Sequence, residues 1–427
     1  MIETAHIDVS LITSTPFKKD ITSKVIHKQD FKELLGHIKS EIAQKNQVLL
    51  VYPLVEQSEV LEYQSIDEAR GYWEKNFDGV YVTHGKDKDK ESRFTSVPDI
   101  FNWNIGNPQP GWEDTLDWFF SRLKSEGPDF TLNAGDIMDA RWWDNAAQVE
   151  EKTEEYWLGF KKRFEERDMT VYVAPGDHEY GDDGGLRKGD IARAFGRQFT
   201  ELMGMPRNGP ANHLGRAFFV REGNLLVITL DTFEDAGPRF AYTVGDEQLA
   251  WMEKTLKTHA DAEFVVVQGQ LPIVGPVRSK NSSASMLKKG ADSRLWKLMV
   301  KHGVDVYLCG EHHRITVKHQ DGIWQIVHGA LWGTQTDLNY LRGAVRPGEM
   351  TLELLEFDVQ YDGGYIGDHP HRGARNKPRE KVSLTEETKE QGPQVSGTLV
   401  LTSGPGGKVN PSKASGWFDL KSKRDAK

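Results

Sequence analysis

MTVYVAPGDHE (residues 169–179) is an apolar run that stops on Pro-Gly and then three ionisable residues, Asp177, His178 and Glu179. A strand buried on both faces reads as a continuous apolar run. A turn has little use for three adjacent titratable groups, which repel or desolvate one another unless they serve a purpose. The same texture recurs on both sides. DFTLNAG (129–135) leads into Asp136, EFVVVQG (263–269) into Gln270, and VDVYLCG (304–310) into Glu311-His312-His313. LLVITLD (225–231) is a further such run, and helix-like segments lie between the runs at 112–125 and 150–167. Strand–loop–helix order of this kind is the pattern of a layered α/β fold, in which ligands gather at the carboxyl ends of the strands.

Taken singly, each polar cluster has an ordinary reading: Asp136 as a helix cap, Gln270 as a strand-end cap, Glu311 to His313 as a surface loop. Taken together they converge on one rim of the sheet. A site of Asp, Asp, Glu and His offers oxygen and imidazole donors suited to hard or borderline divalent metals. Two metals about 3.5–4 Å apart, bridged by a carboxylate, can generate hydroxide near neutral pH and clamp a phosphoryl group. The residues alone therefore point to a metal-assisted hydrolase.

The whole chain has 427 residues, enough for two or three domains. Its net charge of −10 argues against nonspecific nucleic-acid binding by the chain as a whole. Cys309 is the only cysteine, so no intrachain disulfide framework exists. No run approaches the ~18 apolar residues that cross a bilayer, and acidic Glu3 with no apolar run after it does not read as a secretory signal. The expectation is a soluble, cytoplasmic protein.

Three parts are expected: 1–92, 93–363 and 364–427. In the first, FKELLGHIKSEIAQK (31–45) has helical spacing, VLLVYPLV (48–55) suits a strand, 66–77 reads as a helix and 79–85 as a strand. KDKDKE (86–91) is a solvated turn or linker. The last part is polar and rich in Gly and Pro, with one short strand at 397–403, and reads as a partly ordered extension.

The order and spacing of the clusters in 93–363 resemble the calcineurin-like metallophosphoesterases, whose pattern runs D-x-H, G-D, G-N-H-D/E, H and G-H-x-H. The matching pieces are Gly135-Asp136, Gly176-Asp177-His178-Glu179 and Gly310-Glu311-His312-His313. The resemblance implies a four-layer αββα sandwich and two divalent metal ions (Mn, Fe, Mg or Zn) acting on a small or macromolecular phosphoester. It implies that Asp136 bridges the metals, that Asp177 ligates the second where the family has Asn, and that His313 ligates the first. His178 would be the acid that protonates the leaving group, with Glu179 orienting it. Glu311 stands for the first His of G-H-x-H and would favour harder metals such as Mn or Mg. For D-x-H the best candidate is Asn102-Trp103-Asn104, with Asp99 as an alternative that fits less well. The isolated His is replaced by Gln270. These neutral amides would weaken metal binding and slow turnover. Arg141, Trp142, Trp143, His328 and the 280–285 loop (KNSSAS) are candidates for the border of the site.

Residues 7–92 resemble part of the second RecA-like lobe of the ATP-dependent DNA helicase RecG, with Ser14-Thr15-Pro16 at the position of its T-A-T-P motif. The nucleotide-cradling G-x-x-x-x-G-K-S/T loop and the acidic box are missing, so this segment alone cannot translocate on DNA. The abrupt join leaves a fusion or an artefact of assembly open. Three functions follow: an attenuated phosphoester hydrolase, a catalytically inactive binding protein on the same fold, or a helicase-related nucleic-acid protein resting only on the first 92 residues.

Overall fold

A computed structural model describes residues 31–43, 73, 75, 77, 91–100, 110–138, 145–280, 282–329, 331, 338–362, 381–404 and 409–420. The chain divides into two compact units, Met1–Thr83 and His84–Lys427. In the first, the expected helix spans Phe31–Ala43. Ile38 packs with Trp73 in a small apolar cluster flanked by Leu35 and Phe77. The strands expected at 48–55 and 79–85, Ser14-Thr15-Pro16 and the linker up to Lys90 lie outside the described residues.

Among its described residues the second unit carries seventeen strands in chain order. They begin with β1 (Ser92–Ser96), β2 (Phe130–Asn133), β3 (Val171–Val173), β4 (Phe218–Glu222) and β5 (Leu225–Thr229). A short hairpin of β6 (Phe233–Asp235) and β7 (Phe240–Tyr242) precedes β8 (Phe264–Gln268), β9 (Val306–Cys309), β10 (Thr316–Gln320) and β11 (Ile323–Val327). Then come β12 (Asn339–Arg346), β13 (Glu349–Glu356), β14 (Val359–Asp362), β15 (Lys381–Leu384), β16 (Gln394–Ser403) and β17 (Val409–Gly416). One sheet has the order β17-β16-β13-β12-β1-β2-β3, the other β10-β11-β9-β8-β5-β4.

The apolar runs are continuous because their strands are buried on both faces. Along β5, Leu225 and Val227 join Phe264, Val266, Val306 and Leu308 in packing against Phe94, Phe130 and Leu132 of the facing sheet. The alternate residues Leu226, Ile228, Val265 and Val267 belong to a second core with Leu249, Met252, Trp296 and Met299 from two helices. The helix Trp112–Ser125 meets the other sheet through Phe119, whose ring centroid lies 5.8 Å from that of Tyr340 and 5.6 Å from that of Phe357. The architecture is the αββα sandwich expected. Among the described residues no helix is long and apolar enough to cross a membrane.

Two boundaries shift. The helix read from Glu150 starts at Ala146, because the Asn145 side chain accepts from the backbone N–H of Gln148 and caps it. The region after 363 is no mere extension: β16 pairs with β13 and β17 closes the seven-stranded sheet. Its inward residues Leu399, Leu401 and Phe418 are buried between the sheets, a pattern that the surrounding Gly, Pro and charge conceal. Leu399→Ala should therefore cost about 2–5 kcal/mol in urea unfolding, whereas exposed Lys413→Ala should stay within roughly 0.5 kcal/mol. Equal, negligible effects would mean that the C-terminal strands are not part of the core.

Candidate metal centre

β1, β2 and β3 run parallel to one another, and so do β5, β8 and β9, so their carboxyl ends present one set of loops. Those loops bring together Asp99 after β1, Asp136 after β2, Asp177 to Glu179 after β3, Gln270 after β8 and Glu311 to His313 after β9. All are buried, from Asp99, Glu179 and Gln270 with no exposure to His178 at 7%.

Close approach of the loops depends on glycine. A Cβ at Gly176 would lie 2.1 Å from Asp136 Oδ1, and one at Gly310 would lie 2.5 Å from Asp99 Oδ2. Around them four site residues, Asp99, Asp136, Glu311 and His313, hold φ between 54° and 70°. Left-handed backbone at a non-glycine residue costs about 1–3 kcal/mol and persists where the surroundings over-determine it, most often at functional sites.

Two donor sets result. One ligand atom each from Asp99, Asp136 and His313 lie within 4.8 Å of one another, as do atoms from Asp136, Asp177 and His178. Asp136 belongs to both. Its Oδ1 accepts from the backbone N–H of His178 at 3.2 Å, and Asp177 caps the same turn through its own side chain. His313 Nε2 is 4.0 Å from Asp99 Oδ1, which also accepts from Gln270 Nε2 at 3.0 Å and the Glu311 N–H at 3.2 Å.

Of the two candidates for the first motif, Asp99 is brought to the cluster, with Asp136 and His313. Asn102 and Asn104, taken as the better candidates, lie outside the described residues, as do Arg141, Trp142 and Trp143. Glu179 accepts its hydrogen bonds from the backbone N–H groups of Asp136 at 2.7 Å, Gly176 at 2.8 Å and Ile137 at 3.0 Å. It binds the β2 and β3 loops to each other, and His178 beside it lowers its pKa against the larger, opposing effect of burial.

Glu311 Oε1 accepts from Ser283 Oγ at 2.5 Å and from the Ser285 N–H at 2.9 Å, so the 280–285 loop does border the cluster. His312 faces that loop, with Nε2 3.0 Å from the Ser285 carbonyl oxygen. His328 is packed beneath the rim, 3.0 Å from Ser96 Oγ, and its burial holds its pKa down at about 3. Tyr180, on the same short turn as His178, donates to Asp231 Oδ2 at 2.5 Å behind the site. Sequence reading missed that contact, although Asp231 ends an apolar run as the other site residues do.

Burial pushes all five carboxyls upward. Asp99 and Glu179 are raised to about 7, Asp177 is raised, and Asp136 and Glu311 go well above the usual range. After desolvation, the leading influences on Asp136 are four other carboxylates, those of Asp177, Asp99, Glu179 and Glu311. Asp99 Oδ2 and Gln270 Oε1 are buried with no hydrogen-bond partner among the described residues. An orphaned buried acceptor costs about 1–3 kcal/mol. Crowded carboxylates with oxygens left over are the donor set that a divalent cation satisfies, so the residues present fit a metal.

The profile of the calcineurin-like phosphoesterases matches residues 83–314, just over half of the sequence. This chain belongs to the calcineurin-like phosphoesterase family. Members of that family use divalent metals and act on phosphoesters. Solved structures similar to this family member include a dimetal phosphatase from Danio rerio, at 12% identity and TM-score 0.47, covering 61% of this chain and 95% of that one. A purple acid phosphatase from yellow lupin is similar at 16% identity and TM-score 0.44, over 63% and 52% of the two chains. The N-terminal segment is 42% identical over 91 residues to the ATP-dependent DNA helicase RecG of Helicobacter pylori, and 32% identical over 88 residues to that of Aquifex aeolicus. These stretches make up 21% and 20% of this chain and only 15% and 11% of the helicases.

The raised carboxyls fix the sign of a pH effect. Asp99 and Glu179 keep their protons up to about pH 7 in the fold but lose them near 4 when unfolded. Their contribution is complete below about pH 4 and is lost as pH rises through about 7. In chelator, the melting temperature should be several degrees higher at about pH 5.5 than at about pH 8, and Asp99→Asn should flatten the difference. A chelated protein that grows more stable over that interval would contradict this electrostatic picture.

Proposed function

We propose that the chain is a metal-dependent phosphoester hydrolase whose turnover is attenuated by its altered ligand set. The observation that carries this reading is Asp136, shared by two buried donor sets at the strand ends. Asp99 and His313 would complete one metal position with it; Asp177, Gln270 and Glu311 are the groups available to the other. Bound metals would supply the neutralising charge and the lowered pKa of water that hydrolysis of a phosphoester needs.

The remaining steps belong to the chain's own groups. His178 sits on a one-turn helix whose backbone N–H is fixed by Asp136 and Asp177. A ring nitrogen lies within 4.8 Å of a carboxylate oxygen of each. From there it would give a proton to the leaving oxygen, a role that typically contributes 10²–10⁴-fold. Glu179 keeps the His178 loop against Asp136 while this happens. Attenuation follows from chemistry: Gln270 and Glu311 stand where the pattern places imidazoles, and neither candidate for the first motif, Asn102-Trp103-Asn104 or the stretch from Asp99, carries its His.

A second reading, a binding protein on the same fold, is favoured by the hydrogen bonds that Gln270 and Glu311 already spend on Asp99 and the serine loop. The two separate on an aryl phosphate. With Mn supplied, hydrolysis should fall at least ~100-fold in Asp136→Asn and in His178→Gln. No rate above the Asp136→Asn background would leave the binding reading standing.

We infer that the RecG-like segment takes no part in this chemistry. The nucleotide-binding motifs that translocation needs are missing from it. Deleting Met1–Thr83, the first compact unit, should leave the melting transition of the remainder and its metal content unchanged. A loss of metal binding on deletion would overturn this inference.

A further inference from the structure

We infer that Gln270 shifts the preference of this centre away from Zn²⁺ and toward hard, oxygen-preferring cations, Mn²⁺ and Mg²⁺. The inference rests on the metallohydrolase reading of the site and specifies the class of ion that it takes.

Gln270 has no exposure, and a side-chain amide can be turned either way round. The amide offers its NH₂ to Asp99 Oδ1, at 3.0 Å. The carbonyl oxygen is thereby turned away from Asp99. It is buried, has no hydrogen-bond partner among the described residues, and lies 2.7 Å from where a Cβ on Gly135 would sit, beside Asp136 in the chain. Asp99 Oδ2 is similarly buried and without a partner. Both orphaned oxygens are acceptors, on residues that the strand-end loops bring to the cluster. A cation is the partner that such acceptors lack.

The other donors have the same character. Asp99, Asp136, Asp177 and Glu311 bring carboxylate oxygens, and among the described residues each of the two donor sets contains one imidazole, that of His178 or His313. Cys309, the only thiol in the chain, is buried with Sγ 3.7 Å from the Ile326 carbonyl oxygen, toward which it donates, and is no ligand here. Raw affinity in the Irving–Williams order places Zn²⁺ above Mn²⁺, and imidazole suits zinc and iron, whereas carboxylate and carbonyl oxygens suit magnesium, calcium and manganese. Replacing imidazole by an amide and a carboxylate removes the donors that zinc gains most from. The charge of the four acidic groups remains to hold a hard dication.

The test is a direct comparison of binding in full-length protein stripped with chelator. Mn²⁺ affinity is read by electron paramagnetic resonance of the free ion, and Zn²⁺ affinity by competition against the bound Mn²⁺. Wild-type protein should bind Zn²⁺ no more than ~10-fold more tightly than Mn²⁺, and Gln270→His should shift the ratio toward zinc by at least ~10-fold. Wild-type protein that binds Zn²⁺ more than ~10-fold more tightly than Mn²⁺ would overturn the shift, with or without a foldable variant. So would an unchanged ratio in a Gln270→His protein that melts cooperatively. Binding of neither ion to wild-type protein would instead overturn the metallohydrolase reading.

Discussion

Mutual repulsion among five buried carboxylates is the constraint on which this domain's architecture turns. Two unit charges about 5 Å apart repel by about 3 kcal/mol at an effective dielectric of ~20, and burial adds a desolvation cost to each. Nothing in a packed interior gathers Asp99, Asp136, Asp177, Glu179 and Glu311 by chance. The sandwich supplies the rigidity. β1, β2 and β3 on one side and β8 and β9 on the other are fixed by cores above and below them, and their ends hold the acids in place. Backbone N–H groups neutralise part of the cost, three of them on Glu179 alone. Left-handed backbone at Asp99, Asp136, Glu311 and His313 adds strain that the cores must offset. Without metal, protons carry the remainder of the electrostatic load, and a divalent cation would replace them.

The departures from the family pattern follow one direction. On the proposed correspondence, Gln270 and Glu311 stand where the pattern has imidazole, and Asp177 where it has a neutral amide. The site would then have exchanged nitrogen for oxygen at two positions and gained negative charge. That exchange would keep the capacity to hold a dication while altering which ion is held and how strongly water bound to it is acidified. Fold and ligand geometry are thus separable from turnover: the first depends on strand ends and glycines, the second on the donors placed there.

Much of this was legible in the sequence. Apolar runs ending in Gly-Asp or in Gly-Asp-His-Glu marked β2 and β3, and strand-end polarity placed Asp136, Asp177, His178, Glu311 and His313 on one rim. Asp99 was undervalued because the first motif was sought close to the helix at Trp112. The chain in fact reaches the site three residues after β1 ends at Ser96, as it does three residues after β2 ends at Asn133. The rule that found Asp136 also finds Asp99. The part played by Glu179 was not legible, because its partners are backbone N–H groups of two loops that meet only in the fold. The C-terminal strands were obscured for another reason: an edge strand such as β17 is exposed along most of its length and carries little apolar signal.

The shared carboxylate of Asp136 would organise a two-cation centre. Anomalous diffraction from crystals grown with Mn²⁺ tests it most directly. Two peaks about 3.5–4 Å apart, with Asp136 between them, are predicted. A cluster with no peak within coordination distance of Asp136 at saturating metal would contradict it.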